Sequence, residues 1–273
     1  MTIKNFIAGG CSFTYGSELS DDNKGKTTSK MSWAHQLMLR SPATTNDNYV
    51  CVAKPGTGNT GIARRVFDAV ANTDNIRCVV VMWSFLSRYD WAMPRHRELE
   101  GTRWATISPW DTKMAEQERH TALAGSEGQQ ESWKLRKEMM IETQVQPFAD
   151  AIYKYAANEY HETYLSWKSI IWLQNILEKK GIPFMFTLAD NSLFYRDFEE
   201  HKDRDKFMDA LYKEIDFTRW FSFGERFMGF NQWALLNDYE RGTTHPLDKA
   251  HQDAVNLMIP KFSKLPLGKK SLK

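Results

Sequence analysis

The chain has 273 residues, and its 36 basic side chains nearly balance 34 acidic ones, for a formal charge of +2. That balance lacks the basic excess with which a dedicated nucleic-acid binder neutralises phosphates, so no nucleic-acid partner is expected. With 42% hydrophobic and 13% aromatic residues the chain can bury a sizeable core, and its length allows one large domain or two small ones.

In chain order, residues 6–9 read as a first strand, reached without a basic leader, a long apolar stretch or a small-residue cleavage site. Residues 49–53 read as a second strand, and residues 60–70 as the crossover helix that follows it. Residues 76–83, IRCVVVMW, form the continuous Val-rich run expected of a central strand covered on both faces. From residue 90 to 133 the alternation stops: Trp91, Trp104 and Trp110 are scattered without period through a polar stretch, which reads as a long insertion after the third strand. Over residues 161–180, Tyr164, Trp167 and Ile171 alternate with Ile170, Leu173 and Leu177 at helical steps. Lys179, Lys180 and Gly181 supply the C-terminal signals. Residues 182–189 read as a fourth strand, 220–223 as a short fifth and 246–259 as a closing helix with Pro246 in its first turn. The alternation predicts an α/β fold, a three-layer α/β/α sandwich around a central parallel sheet. A single domain is expected over residues 1–273, with the insertion at about 90–133 and a basic tail at 261–273 holding five lysines and no acid.

Cys11, Cys51 and Cys78 are too few and too scattered for a disulfide framework or a zinc site. A reducing, cytoplasmic location follows, with no metal and no cofactor. No apolar run approaches the roughly 20 residues needed to cross a bilayer, so no membrane partner is expected.

In an open parallel sheet, ligands bind beyond the carboxyl ends of the strands. Five segments fall there. Gly9-Gly10-Cys11-Ser12-Phe13-Thr14-Tyr15-Gly16 follows the first strand; Ser12 would sit near a helix start, where backbone N–H groups can hold an oxyanion, or would serve as an ordinary cap. Lys54-Pro55-Gly56-Thr57-Gly58-Asn59-Thr60 follows the second; it lacks the spacing of a nucleotide-binding loop but allows close backbone approach. Ser84 and Arg88 follow the third strand as candidate substrate-binding groups or members of a solvated loop. Asp190-Asn191-Ser192 ends the fourth and is compatible with simple turn chemistry. Gly242-Thr243-Thr244-His245-Pro246 precedes the last helix and places a histidine for general base work, while His251 reads as a packing or surface residue.

Together, GGCSFTYG, PGTGNTGIARR, VVVMWS and THPLDKAH, in this order, resemble the blocks of the SGNH/GDSL hydrolases, particularly divergent members of the kind carried by bacteriophages. The resemblance spans nearly the whole chain and is most specific in its first and last blocks. It implies a flavodoxin-like sandwich and a metal-free serine esterase, with Ser12 as nucleophile and, through its N–H, an oxyanion donor. It also implies His245 as base and Gly56 or Gly58 as a second oxyanion donor. A small ester or an acylated glycan is the implied substrate, and Trp91, Trp104 or Trp110 would wall its pocket if the insertion folds over the strand ends. A phage origin would place the protein in the host cytoplasm or with the virion.

The chain departs from the family at three positions. Cys11 replaces the usual aspartate before the serine. The block after the third strand reads Trp83-Ser84-Phe85 and lacks the family's asparagine, for which Asn59 is a candidate substitute. Gly242 stands where an aspartate would lie three residues before the histidine, leaving Asp238 as the nearest upstream acid to orient His245, or a backbone carbonyl in its place. Two alternatives to an esterase follow: a binding or structural module whose machinery has decayed, such as a phage accessory or virion component, and an acyltransferase that delivers the acyl group to a sugar hydroxyl.

Overall fold

Four parallel strands form the centre of the computed structural model: β1 (Asn5–Gly9), β2 (Asn48–Cys51), β3 (Ile76–Trp83) and β6 (Phe184–Leu188), in the order β2-β1-β3-β6. The structure describes residues 3–23, 25–93, 104–113, 130, 134, 145–194 and 206–267. A further parallel bridge joins Phe186 to Trp220, so the expected fifth strand is present as a single bridge beside β6. Strand order reverses between β1 and β3, and this is where a sheet of this type opens a crevice at its carboxyl end. Ser12 leaves β1 at that point.

Helices cover both faces. The helices are α1 (Ser12–Tyr15), α2 (Trp33–Arg40), α3 (Asn59–Asn72), α4 (Val145–Tyr155), α5 (Glu159–Lys179), α6 (Lys206–Lys213), α7 (Phe230–Leu236) and α8 (Asp248–Phe262). Side chains alternate across each strand. Phe6, Ala8, Val80 and Met82 therefore meet α2, α7 and α8, whereas Ile7, Val79, Val81 and Trp83 meet α3 and α5. The β3 run is apolar from Cys78 to Trp83 because both of its faces are covered there; these six residues are fully buried.

Helix α5 ends as its sequence predicts. Gly181 takes φ +62°, its N–H bonds to the Glu178 carbonyl, and the Ile182 N–H reaches back to the Leu177 carbonyl. This is the paired closure that a left-handed glycine permits.

Two elements differ from expectation. The closing helix starts at Asp248 and runs to Phe262, because Pro246 is held in an antiparallel bridge to Arg241. The expected tail begins inside the fold: Phe262, Leu265 and Leu267 are buried, and the Leu267 carbonyl accepts from Arg77. The last part of the expected tail, residues 268–273, lies outside the described residues.

The insertion is structured where it is described. The strands β4 (Tyr89–Ala92) and β5 (Trp104–Ile107) pair antiparallel, and Tyr89, Met93, Ala105 and Ile107 pack with Val145, Ala149 and Ile152 of α4 into a third, smaller core. Among the described residues no helix is long and apolar enough to cross a membrane.

Candidate active site

The turn after β1 is built around two glycines and a short helix. Gly10 has φ +155°, and a Cβ there would lie 2.1 Å from the Thr14 hydroxyl. Gly16, at φ +85°, ends α1 with its N–H on the Ser12 carbonyl at 2.8 Å. The chain then turns back, so that Glu18, itself left-handed at φ +70°, is held by its N–H to the Asp22 carboxylate.

Across the crevice, a tight turn carries the histidine. The Gly242 N–H bonds to the His245 carbonyl at 2.9 Å, between the bridged Arg241 and Pro246. His245 Nε2 lies 2.7 Å from Ser12 Oγ, and His245 Nδ1 lies 3.0 Å from Glu18 Oε2. Thr244 Oγ1 is also 2.8 Å from Nδ1. A carboxylate can only accept, so Nδ1 carries the proton it shares with Glu18, and Nε2 is left to accept from the Ser12 hydroxyl. The Phe13 ring, its centroid 4.9 Å away, closes one side of the imidazole.

Glu18 Oε2 also accepts the Thr244 N–H at 3.0 Å and the His245 N–H at 2.9 Å. Burial alone would raise its carboxyl; the bonds from His245 and Thr244 and the attraction of His245 outweigh that and hold it at about 2. Glu18 therefore stays ionised where an ordinary carboxylate, near 4.5, begins to protonate. With the folded value depressed, its stabilising contribution is complete above the unfolded value and is lost as pH falls from about 4.5 through about 2. Wild type should thus be more stable than Glu18→Gln at neutral pH, and thermal unfolding across this window should show the difference closing as pH falls. A constant difference down to pH 2 would contradict the ion pair.

Glu18 corrects the expectation that Asp238 orients His245. Asp238 is exposed just beyond α7, whereas Glu18 occupies Nδ1 from 227 positions away. Its carboxylate fills the space next to Gly242: a Cβ on Gly242 would lie 2.7 Å from Glu18 Oε2 and 3.0 Å from its carboxyl carbon. The acid expected at position 242 is thus supplied by Glu18, two residues beyond the first block, and the glycine makes room for it.

Asn59 is also corrected as an oxyanion donor. Both of its amide hydrogens are committed, to the Ser84 carbonyl at 3.1 Å and Ser166 Oγ at 3.0 Å, and its oxygen accepts the Ser84 N–H at 2.7 Å. Asn59 is a buried clamp between α3, the end of β3 and α5. The two glycines separate in the same way. The Gly58 N–H donates to Asp90 at 3.2 Å, whereas the Gly56 N–H makes no hydrogen bond among the described residues. Gly56, at φ +78°, follows Pro55 in a turn closed by Thr57 N–H on the Lys54 carbonyl, and Lys54 in turn bonds to the Gly10 carbonyl.

The remaining candidates stand further out. Arg88 Nη1 donates to Ser84 Oγ at 2.9 Å and its guanidinium stacks on Phe85, whose ring neighbours Phe13. Neither Ser84 nor Arg88 bonds to Ser12 or His245 among the described residues. Trp104 lies beneath the Arg64 guanidinium on α3, Trp91 packs edge-on to Phe148, and Trp110 is half exposed. The ring partners of Trp104 and Trp91 are thus Arg64 and Phe148. Asp190 caps the turn after β6 through the Ser192 N–H, the turn role its sequence suggests. His251 is fully buried, and its Nδ1 accepts the Trp33 N–H at the start of α2. Burial, helped by the charge of His245, pushes its ionisation down to about 3, so it is a neutral packing residue.

No family model matches the sequence. No curated protein matches it. Among solved structures, the chain is similar to the crystal structure of a member of the lipolytic protein G-D-S-L family from Veillonella parvula DSM 2008. The TM-score is 0.44 at 8% identity, over 96% of this chain and 99% of that one. At that distance the likeness carries no functional argument.

Proposed function

We propose that this protein is a serine ester hydrolase of the SGNH/GDSL type, acting through Ser12, His245 and Glu18. The observation that carries the reading is the chain of contacts from Ser12 Oγ to His245 Nε2, 2.7 Å, and from His245 Nδ1 to Glu18 Oε2, 3.0 Å. A nucleophile, a base and a carboxylate that fixes the base's tautomer are the parts that acyl transfer to serine requires.

Ser12 Oγ attacks the acyl carbon while His245 takes its proton, and Glu18 stabilises the imidazolium that results. The negative charge on the tetrahedral intermediate falls to the Ser12 and Gly56 N–H groups, neither of which is bonded elsewhere among the described residues. His245 returns the proton to the leaving alcohol, and the acyl-Ser12 ester is then hydrolysed by water that His245 deprotonates. Glu18 answers the absence of an acid at position 242, one of the grounds for a decayed module beside the missing asparagine and the Trp-bearing insertion. The placement of Trp91, Trp104 and Trp110 gives a glycan no preference over other alcohols.

The test is labelling with a fluorophosphonate, followed by peptide mass spectrometry and a screen of short aryl esters. Covalent modification of Ser12, together with turnover, is expected. Well-folded protein that neither labels nor turns over an ester contradicts the proposal.

A further inference from the structure

Asp90 opens the polar insertion, yet it does not face solvent as a free charge. Its Oδ1 accepts from Thr106 Oγ1 at 3.0 Å, its Oδ2 accepts the Gly58 N–H at 3.2 Å, and Thr57 Oγ1 lies 3.3 to 3.4 Å from the two oxygens. Helix α3 has Gly58 at its N-cap, a residue with no side chain to accept the helix's free N–H groups. Asp90, from a different strand, accepts the N–H of Gly58 itself and sets its carboxylate beside Gly61 in the first turn, at the positive end of the helix dipole.

Two glycines one helical turn apart let the strand come this close. A Cβ on Gly58 would lie 2.3 Å from the Arg88 carbonyl oxygen, and a Cβ on Gly61 would lie 2.2 to 2.4 Å from the Asp90 carboxylate. Gly58 has φ −87°, a value open to any residue, so it is needed for room and not for its conformation. The insertion is thereby seated on the loop that carries Gly56. Thr57, in contact with Asp90, closes the turn on Lys54, and Lys54 is bonded to Gly10 two residues before Ser12.

We propose that Asp90 is a positioning residue for the oxyanion loop: by capping α3 from the insertion, it fixes the turn 54–57 and with it the Gly56 N–H relative to Ser12. The inference rests on the hydrolase reading above. It makes the insertion's first strand a working part of the site, acting from behind the loop, in place of a wall over the substrate.

The experiment compares wild type with Asp90→Ala, Asp90→Asn and Thr57→Val, measuring kcat and KM on a short aryl ester and the fluorophosphonate labelling rate, with folding followed by circular dichroism. Asp90→Ala should lower kcat about 10- to 100-fold and slow labelling, while KM stays within about two-fold, because the donor acts on the transition state. Asp90→Asn should recover most of the loss, since its carboxamide oxygen still accepts the Gly58 N–H. If Asp90→Ala does not fold, Asp90→Asn and Thr57→Val carry the test, with Thr57→Val expected to lower kcat several-fold at constant KM. A folded Asp90→Ala or Thr57→Val with wild-type kcat per labelled serine, or an Asp90→Asn no better than a folded Asp90→Ala, overturns the proposal. A wild type that neither labels nor turns over removes the hydrolase reading and this inference together, and is recognised before any variant is compared.

Discussion

Glu18→Gln is expected to lower ester turnover by about 10⁴ with little change in KM, the size of effect seen when the triad carboxylate of a serine protease is neutralised. A carboxamide can present its NH₂ to Nδ1, which places the imidazole proton on Nε2, where it opposes acceptance of the Ser12 hydroxyl proton. The exposed Asp238, changed to Asn, should leave kcat within about two-fold of wild type, as is usual for a surface substitution. Gly242→Ala probes the same contact from the other side. Its Cβ would lie 2.7 Å from Glu18 Oε2 and must displace it, and a shift of about 1 Å in a catalytic group costs on the order of 10² in rate. Steady-state kinetics on the three variants decide the matter: equal losses for Glu18→Gln and Asp238→Asn would remove Glu18 from its assigned place.

Ser12→Ala and His245→Ala are each expected to reduce kcat by about 10⁶, with the double variant scarcely worse than either alone. The two side chains form one reacting unit through a 2.7 Å contact, so removing either leaves the other nothing to act with. The residual rate would come from substrate binding and the backbone donors. Additive losses in the double variant would show that serine and histidine act independently, and a Ser12→Ala protein with more than a tenth of wild-type turnover would point to another nucleophile.

Strands whose both faces are covered were the most legible part of the fold. Residues 78–83 and the core of 182–189 announce themselves because nearly every position is apolar, and their alternation with helical segments pointed to a parallel sheet, whose order the structure supplies. Helix α2 is harder to see: it has only eight residues, and its buried Trp33, Ala34, Leu37 and Met38 span barely two turns. Helix α4 follows a long polar stretch, and it is apolar on the side that meets the insertion's own small core, which no periodicity in the main sheet foretells.

In the site, Ser12 and His245 were legible because each sits in a local block of characteristic residues. Glu18 lay only six residues beyond Ser12, but nothing local connects a glutamate in a polar loop with a histidine 227 positions later. The signal was negative: a glycine at 242, where a carboxylate was expected, is the imprint of a side chain arriving from elsewhere. Asn59 misled for a related reason. A polar residue in a glycine-rich loop suggests a ligand, but its partners, Ser84 and Ser166, come from two other segments and leave its amide no donor to spare.

On the proposed mechanism, the pairing of residues 12 and 18 with residue 245 also governs when the protein becomes competent during its synthesis. Ser12 and Glu18 precede β2, β3 and β6, and the sheet can assemble as those strands follow, but the imidazole arrives 233 positions after the serine. Helix α8, which carries the chain onward from that histidine, contributes Val255, Met258 and Phe262 to the core around Phe6 and Ala8 on β1. Contacts of such sequence separation close late and slowly. A nascent chain that ends before residue 245 therefore holds Ser12 without His245 and a first strand whose face is only partly covered, and on the proposed mechanism activity awaits the docking of α8.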